Sequence, residues 1–122
     1  MIRYSHAPDI NHRVKAIAAR IGLDHDFSRV ICIRSHGSAS KRTIARCHAL
    51  PRVMQTALGI ESHYVIEVLS ENFDTLNEES QTKALIHELM HIPRSFGGGL
   101  RRHDHVTRRS VEIVYEKYKG KR

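Results

Sequence analysis

One run of residues restricts this chain more than any other, from Asn77 to Ile92. Leu85, Leu89 and Ile92 recur at helical spacing, and Ile86 and Met90 widen that stripe. The helix expected here is apolar on almost every side, so it belongs in the middle of a domain. Its one remaining face carries His87, Glu88 and His91, with the small Ala84 a turn earlier. On a helix, positions i, i+1 and i+4 point the same way. Two imidazoles and a carboxylate on a buried helix need partners. Pro93 disfavours helical geometry at Ile92, which stops the helix directly after the second histidine.

His87-Glu88-Leu89-Met90-His91 reads H-E-x-x-H. Two neutral imidazoles at that spacing can bind one zinc ion, and the adjacent glutamate can act on a metal-activated water as general base and then general acid. A catalytic zinc takes three protein ligands and keeps one position open. After Pro93 the run Gly97-Gly98-Gly99 is expected as a flexible turn that brings the chain back, and His103-Asp104-His105 follows it. His103 and His105 are both candidates for the third ligand. They cannot both serve easily from a strand, where alternate residues share a face but sit about 6.5 Å apart. Asp104 is a further candidate, either as a ligand or as a partner for an imidazole N–H. Tyr115, Arg101 or another histidine would stabilise an oxyanion. The competing reading makes His87 and His91 half-buried histidines bonded to backbone and pairs Glu88 with an arginine.

The rest of the chain supplies the scaffold. Ile10, Val14, Ile17, Ala18 and Ile21 predict a helix over 10–21, with Asp9 as its cap and Gly22 at its end, after an irregular lead-in at 1–8. Residues 29–35 (RVICIRS) and 63–70 (HYVIEVLS) read as central strands, apolar on both faces except at Glu67. Residues 43–48 are expected to pair with the first of these as a hairpin. Pro51 starts a short helix that Gly59 ends, Asn72–Asn77 reads as a polar loop, and a last helix is expected over 105–119. These 122 residues suit one domain of the α+β class, ending in a basic tail at 120–122.

Composition excludes more than it selects. Cys32 and Cys47 sit in apolar surroundings and read as buried free thiols; no C-x-x-C is present, so a zinc ribbon is excluded. No apolar run approaches the roughly 18 residues of a membrane span, and the N-terminus lacks a signal h-region, which points to the cytoplasm. The net charge of +7 fits either a solvated surface or an affinity for polyanions such as nucleic acid. His6, His12, His25, His36, His48 and His63 are scattered and read as surface or loop residues, although His36 and His48 would line a cleft if the hairpin folded over it. Glu67 reads as a pairing or exposed-face residue.

The stretch YVIEVLSENFDTLNEESQTKALIHELMHIPRSFGGGLRRHDH resembles the core of a zincin-type metallopeptidase. It is most similar to the small metallopeptidases known from archaea and phages. Those have a strand, a loop, an H-E-L-x-H helix followed by proline, a glycine turn and a His-Asp pair. His87, Glu88 and His91 match the first motif, His103-Asp104 the later pair, and RSHGS at 34–38 is also similar, so the resemblance covers roughly 29–106. SprT-like proteases are a more distant analogy. The metzincin pattern is not met, because Pro93, Arg94 and Ser95 follow His91. The resemblance implies a minimal zincin-like fold, a small mixed sheet packed on helices, with one Zn2+ per chain held by His87, His91 and His103 and with Glu88 as the catalytic base. Among the candidates it favours His103 over His105 and Asp104. It also implies an extended peptide or protein substrate added along Tyr64–Leu69 or its neighbouring strand.

The leading expectation is therefore a zinc-dependent peptidase. The alternatives are a metal-dependent RNase or other hydrolase, and a basic nucleic-acid-binding module whose metal is structural. RNases of that kind usually lack the glutamate after the first histidine, and a structural site is closed by four protein ligands.

Overall fold

The computed structural model describes residues 1–120 and shows an α+β architecture built on a four-stranded mixed sheet. The basic tail at Lys121 and Arg122 lies outside the described residues. The strands are β1 (Arg3–His6), β2 (Val30–His36), β3 (Ala45–Ala49) and β4 (Tyr64–Leu69), in the spatial order β1-β2-β4-β3.

Two expectations about the sheet give way. Residues 3–6 form an antiparallel edge strand on β2 rather than an irregular lead-in. Residues 45–49 pair not with β2 but with β4, antiparallel, while β4 runs parallel to β2. The reason lies in β4, whose Tyr64, Ile66, Val68 and Leu69 are fully buried. A strand apolar on both faces hides more surface between two neighbours than at an edge. The connection after β2 is also too long for a tight hairpin turn. Asn72 stitches it across β4 by donating from its Nδ2 to the Ser40 and Thr43 carbonyls at 2.9 and 2.7 Å.

The helices are α1 (Pro8–Ile21), α2 (Arg52–Leu58), α3 (Ser70–Phe73), α4 (Glu78–Met90) and α5 (Arg108–Gly120). α1 buries the predicted stripe and ends on Gly22 in the left-handed conformation, but Ala7 rather than Asp9 occupies its cap position. Asp9 instead accepts two hydrogen bonds from Arg34 at 2.7 and 2.9 Å, and Arg34 also donates to Asp74 at 3.1 and 3.2 Å. This ties the start of α1 to β2 and to α3, a turn of helix where a polar loop was expected.

α1, α4 and α5 pack on one another, with α1 against β2 and α4 against β3. The core they share with the sheet includes Ile10, Val14 and Ile17 of α1, Cys32 and Ile66 of the sheet, and Leu85, Ile86 and Leu89 of α4. Each of those three α4 side chains, fully buried, contributes about 1.5–3 kcal/mol relative to exposure. Removing that burial would loosen the helix that carries the site. No described helix is long and apolar enough to cross a membrane.

Candidate metal centre and cleft

α4 starts where Asn77 accepts a hydrogen bond from the Ser80 N–H at 2.9 Å, and its first turn carries Glu78 and Glu79, the sign its dipole favours. It stops on the motif itself. His91 is the C-cap, and the His91 and Ile92 N–H groups turn back to the Glu88 and Leu89 carbonyls, each at 3.1 Å. His87 and Glu88 therefore sit in the last helical turn and His91 one step beyond it, with Ile92 buried beneath.

The backbone past Pro93 is tied to the helix it has left. The Arg101 N–H donates to the His91 carbonyl at 2.7 Å, and His91 Nδ1 lies 2.5 Å from the Arg101 carbonyl. A carbonyl only accepts, so Nδ1 carries a proton, and in the neutral form of the ring the lone pair is on Nε2. A second tie comes from β4. The Tyr64 hydroxyl donates to the Gly99 carbonyl and accepts from the Gly98 N–H, both at 2.9 Å. Phe96 packs edge-on against the Tyr64 ring at 4.8 Å, and the Arg29 guanidinium covers it at 4.8 Å. The glycine run expected to be flexible is thus held at both ends. Of its three glycines Gly98 has a positive φ, 106°, and a Cβ there would meet Gln55 Nε2 at 2.5 Å.

Beyond Arg101 the chain makes a short turn, in which the His105 and Val106 N–H groups both donate to the Arg102 carbonyl at 3.0 Å. Buried Val106 anchors it. The turn presents His103 to the helix. The ring centroids of His87, His91 and His103 are 4.6–5.5 Å apart, and one nitrogen from each lies within 4.8 Å of the others. Asp104 and His105 are exposed and do not belong to this group. Among the described residues it has three members, so it lacks the fourth protein ligand that would close a structural site.

The electrostatics favour a neutral His87 ring and a protonatable Glu88 carboxyl. Burial lowers the pKa of His87, and the rings of His91 and His103 lower it further. Glu88 is 7% exposed, and burial pushes its carboxyl up to about 7. No arginine pairs with it among the described residues.

Two cavities of about 650 Å³ each meet at His87 and Glu88. One runs between β3, α4 and the start of α5, and the other between β3, His91 and the turn at 100–103. Both are bounded by β3, the edge strand opposite β1. Ile44 accepts from the Leu69 N–H and the Leu50 N–H donates to His63, so even-numbered residues of this strand bond to β4. The peptide groups of Ala45, Cys47 and Ala49 then point away from the sheet. Of the strands expected as candidates to hold an extended chain, Tyr64–Leu69 is interior and its neighbour β3 lies at an edge.

His48 lines the second cavity and sits 2.8 Å from Glu67, while His36 lines neither. Glu67 is a pairing residue but not an exposed one, at 4%. Burial would raise its pKa, but the adjacent Ser35 hydroxyl and the His48 ring outweigh that and hold it below its usual value. Cys47 also borders the site, its thiol pushed by burial up to about 12. Tyr115 lies in the core beneath Lys83, away from both cavities, whereas Arg101 lines the second. Two contributors were missed from the sequence: the Tyr64 clamp, hidden in an ordinary strand pattern, and the cleft arginines other than Arg101, hidden in a generally basic composition.

An α+β domain whose buried helix ends in H-E-x-x-H beside a third histidine falls in the class of metallopeptidases. The chain belongs to the family described as "Putative phage metallopeptidase", which matches residues 2–119. Comparisons with curated proteins and with solved structures gave no match.

Proposed function

We propose that this protein is a zinc-dependent peptidase, with His87, His91 and His103 as the metal ligands and Glu88 as the general base. The observation that carries the reading is the convergence of three imidazole nitrogens within 4.8 Å beside a desolvated carboxyl. The donor set suits zinc: a neutral ring on the helix, a second whose tautomer is fixed by the Arg101 carbonyl, and a third from an exposed turn that leaves one side open. Bound there, the ion would polarise the scissile carbonyl and acidify water.

The protein's own groups do the rest. The peptide lies along β3, with its backbone bonded to the outward groups of Ala45, Cys47 and Ala49. This alignment carries the scissile carbonyl past Glu88, where the two cavities meet. Glu88 takes a proton from the attacking water and passes it to the leaving amine nitrogen. Arg101, at the cavity wall, is placed to stabilise negative charge on the carbonyl oxygen.

The test pairs metal analysis with turnover. Wild-type protein is expected to hold one zinc per chain and to cleave an unfolded protein such as casein. Glu88→Gln is expected to hold the same zinc and to be inactive. Full activity in that zinc-bearing variant, or cleavage that survives complete chelation, refutes the assignment.

A further inference from the structure

Among the described residues the arginines fall into three groups. Four away from the cleft have structural work. Arg29 pairs with Asp26 and Glu61, Arg34 with Asp9 and Asp74, Arg13 donates to Gln81, and Arg20 lies over Tyr118. The cleft holds a different set. Arg42 and Arg108 line the first cavity, and Arg46, Arg101 and Arg102 line the second. None of these five has a carboxylate within 4 Å among the described residues. Arg3, Arg52, Arg94 and Arg109 also lack an acidic partner, but they line neither cavity.

The acids in the cleft do not offset this charge. Glu112 is bound to Lys83 at 2.7 Å, which leaves Glu88 as the one other carboxyl in either wall, against five arginines; Glu67, across the strand from Arg46, is bonded to His48 at 2.8 Å. Arg108 also opens α5, whose first turn contains no acid although that end of a helix favours one. Unpaired positive charge therefore stands on both sides of Glu88, and cleft walls of low polarisability strengthen its field.

We infer that the substrate is an acidic peptide segment, with Asp or Glu side chains on both sides of the bond that is cut. The inference rests on the peptidase reading and names its substrate class. A peptide fits better than a nucleic acid for two reasons. The outward peptide groups of β3 match an extended polypeptide backbone. The rings in the cavity walls are those of His48, His87, His91 and His103, three of them the proposed metal ligands, so neither wall offers the Phe, Tyr or Trp platform on which single-stranded nucleic acid usually stacks.

The experiment measures binding apart from cleavage. Zinc-loaded Glu88→Gln protein is titrated with two fluorescent nonapeptide pools that share three randomised central positions. The flanking positions are Glu in one pool and Gln in the other. The Glu pool is expected to bind about tenfold more tightly at low salt, with the gap closing as salt rises, because several exposed charge pairs act together. Adding Arg46→Gln and Arg108→Gln, one from each cavity, is expected to narrow the gap to about threefold. Both residues are exposed, and an unchanged melting temperature checks that the fold is intact. Equal binding of the two pools, or a gap that the arginine changes leave intact, overturns the inference. So does displacement of the Glu pool by an RNA oligonucleotide of equal charge at lower concentration, which would assign the arginines to phosphates. Cleavage of the pools by wild-type protein is read separately. Its absence counts against the peptidase reading, while the binding results still decide the substrate class.

Discussion

The two halves of the candidate metal centre are built in different ways. His87, Glu88 and His91 come from the end of a helix whose Leu85, Ile86 and Leu89 are fully buried, so backbone geometry and the core fix their positions. His103 stands exposed on a turn that meets the core only at Val106 and is otherwise held by a few hydrogen bonds: the reciprocal pair between His91 and Arg101, and the Tyr64 clamp on Gly98 and Gly99. The first half is rigid because it is part of the core. The second is rigid only while its ties hold, so chemistry and metal retention should respond to different mutations.

The largest effect should come from the helix side. Glu88→Gln should lower kcat by about 10²- to 10⁴-fold, the usual contribution of a general base, with the zinc content unchanged by metal analysis. On the turn side the loss should be in metal affinity. His103→Ala should weaken zinc binding by more than the roughly 10- to 100-fold typical of losing a group behind a ligand, whereas His105→Ala should change it less than twofold. Competition with a chromogenic chelator measures both, and equal losses would return His105 to contention. Next comes the clamp. Tyr64→Phe keeps the ring against Phe96 but removes both hydrogen bonds, so it should cost about 1–3 kcal/mol in denaturant unfolding and reduce zinc affinity as well. If affinity were untouched, the turn would not depend on Tyr64.

A pH experiment separates the halves in another way. In metal-free protein the Glu88 pKa is raised from 4.5 to about 7, so the folded state holds a proton that the unfolded state releases. That costs nothing below about 4.5 and grows as pH rises through 7, reaching at most about 3 kcal/mol. Metal-free Glu88→Gln should therefore unfold at higher denaturant than metal-free wild type at pH 8, and at about the same denaturant at pH 4.5. The smallest contrast lies within the glycine run. Gly98→Ala should destabilise by about 1 kcal/mol or more, from its positive φ and the approach of Gln55, and Gly97→Ala should be near neutral because a Cβ there meets Ser95 Oγ at an ordinary 3.6 Å. Similar melting temperatures for the two variants would show that the run is not held as described.

The same division decides what could be read from the letters alone. Helical periodicity places His87, Glu88 and His91 on one face wherever the helix sits, so their proximity was legible. The histidine on the turn was legible only as one of several candidates, because its position depends on where Tyr64, eight residues before Asn72 and far from the turn in sequence, aims its hydroxyl. Sheet order failed for a related reason. Local pattern marks β2, β3 and β4 as strands, but whether β3 lies beside β2 or β4 depends on how much apolar surface each arrangement hides. Residues 3–6 carry almost no apolar signal, being exposed throughout, and form a strand only because β2 offers them an edge. Glu67 could be read either as a pairing or as an exposed-face residue, because nothing local shows that His48 will lie beside its carboxyl.

The unpaired side of β3 has a consequence for how the protein behaves in concentrated solution. A bare strand edge is a template for the same edge on a neighbouring molecule, and such contacts lead to zipped dimers and aggregates. Here two copies meeting edge to edge would bring Arg42, Arg46 and their counterparts face to face with no acid between them. Mutual repulsion would keep the copies apart at modest ionic strength, and raising the salt would weaken that protection. The side chains set out to greet an acidic strand would thus also turn away the one strand always present in excess, the protein's own.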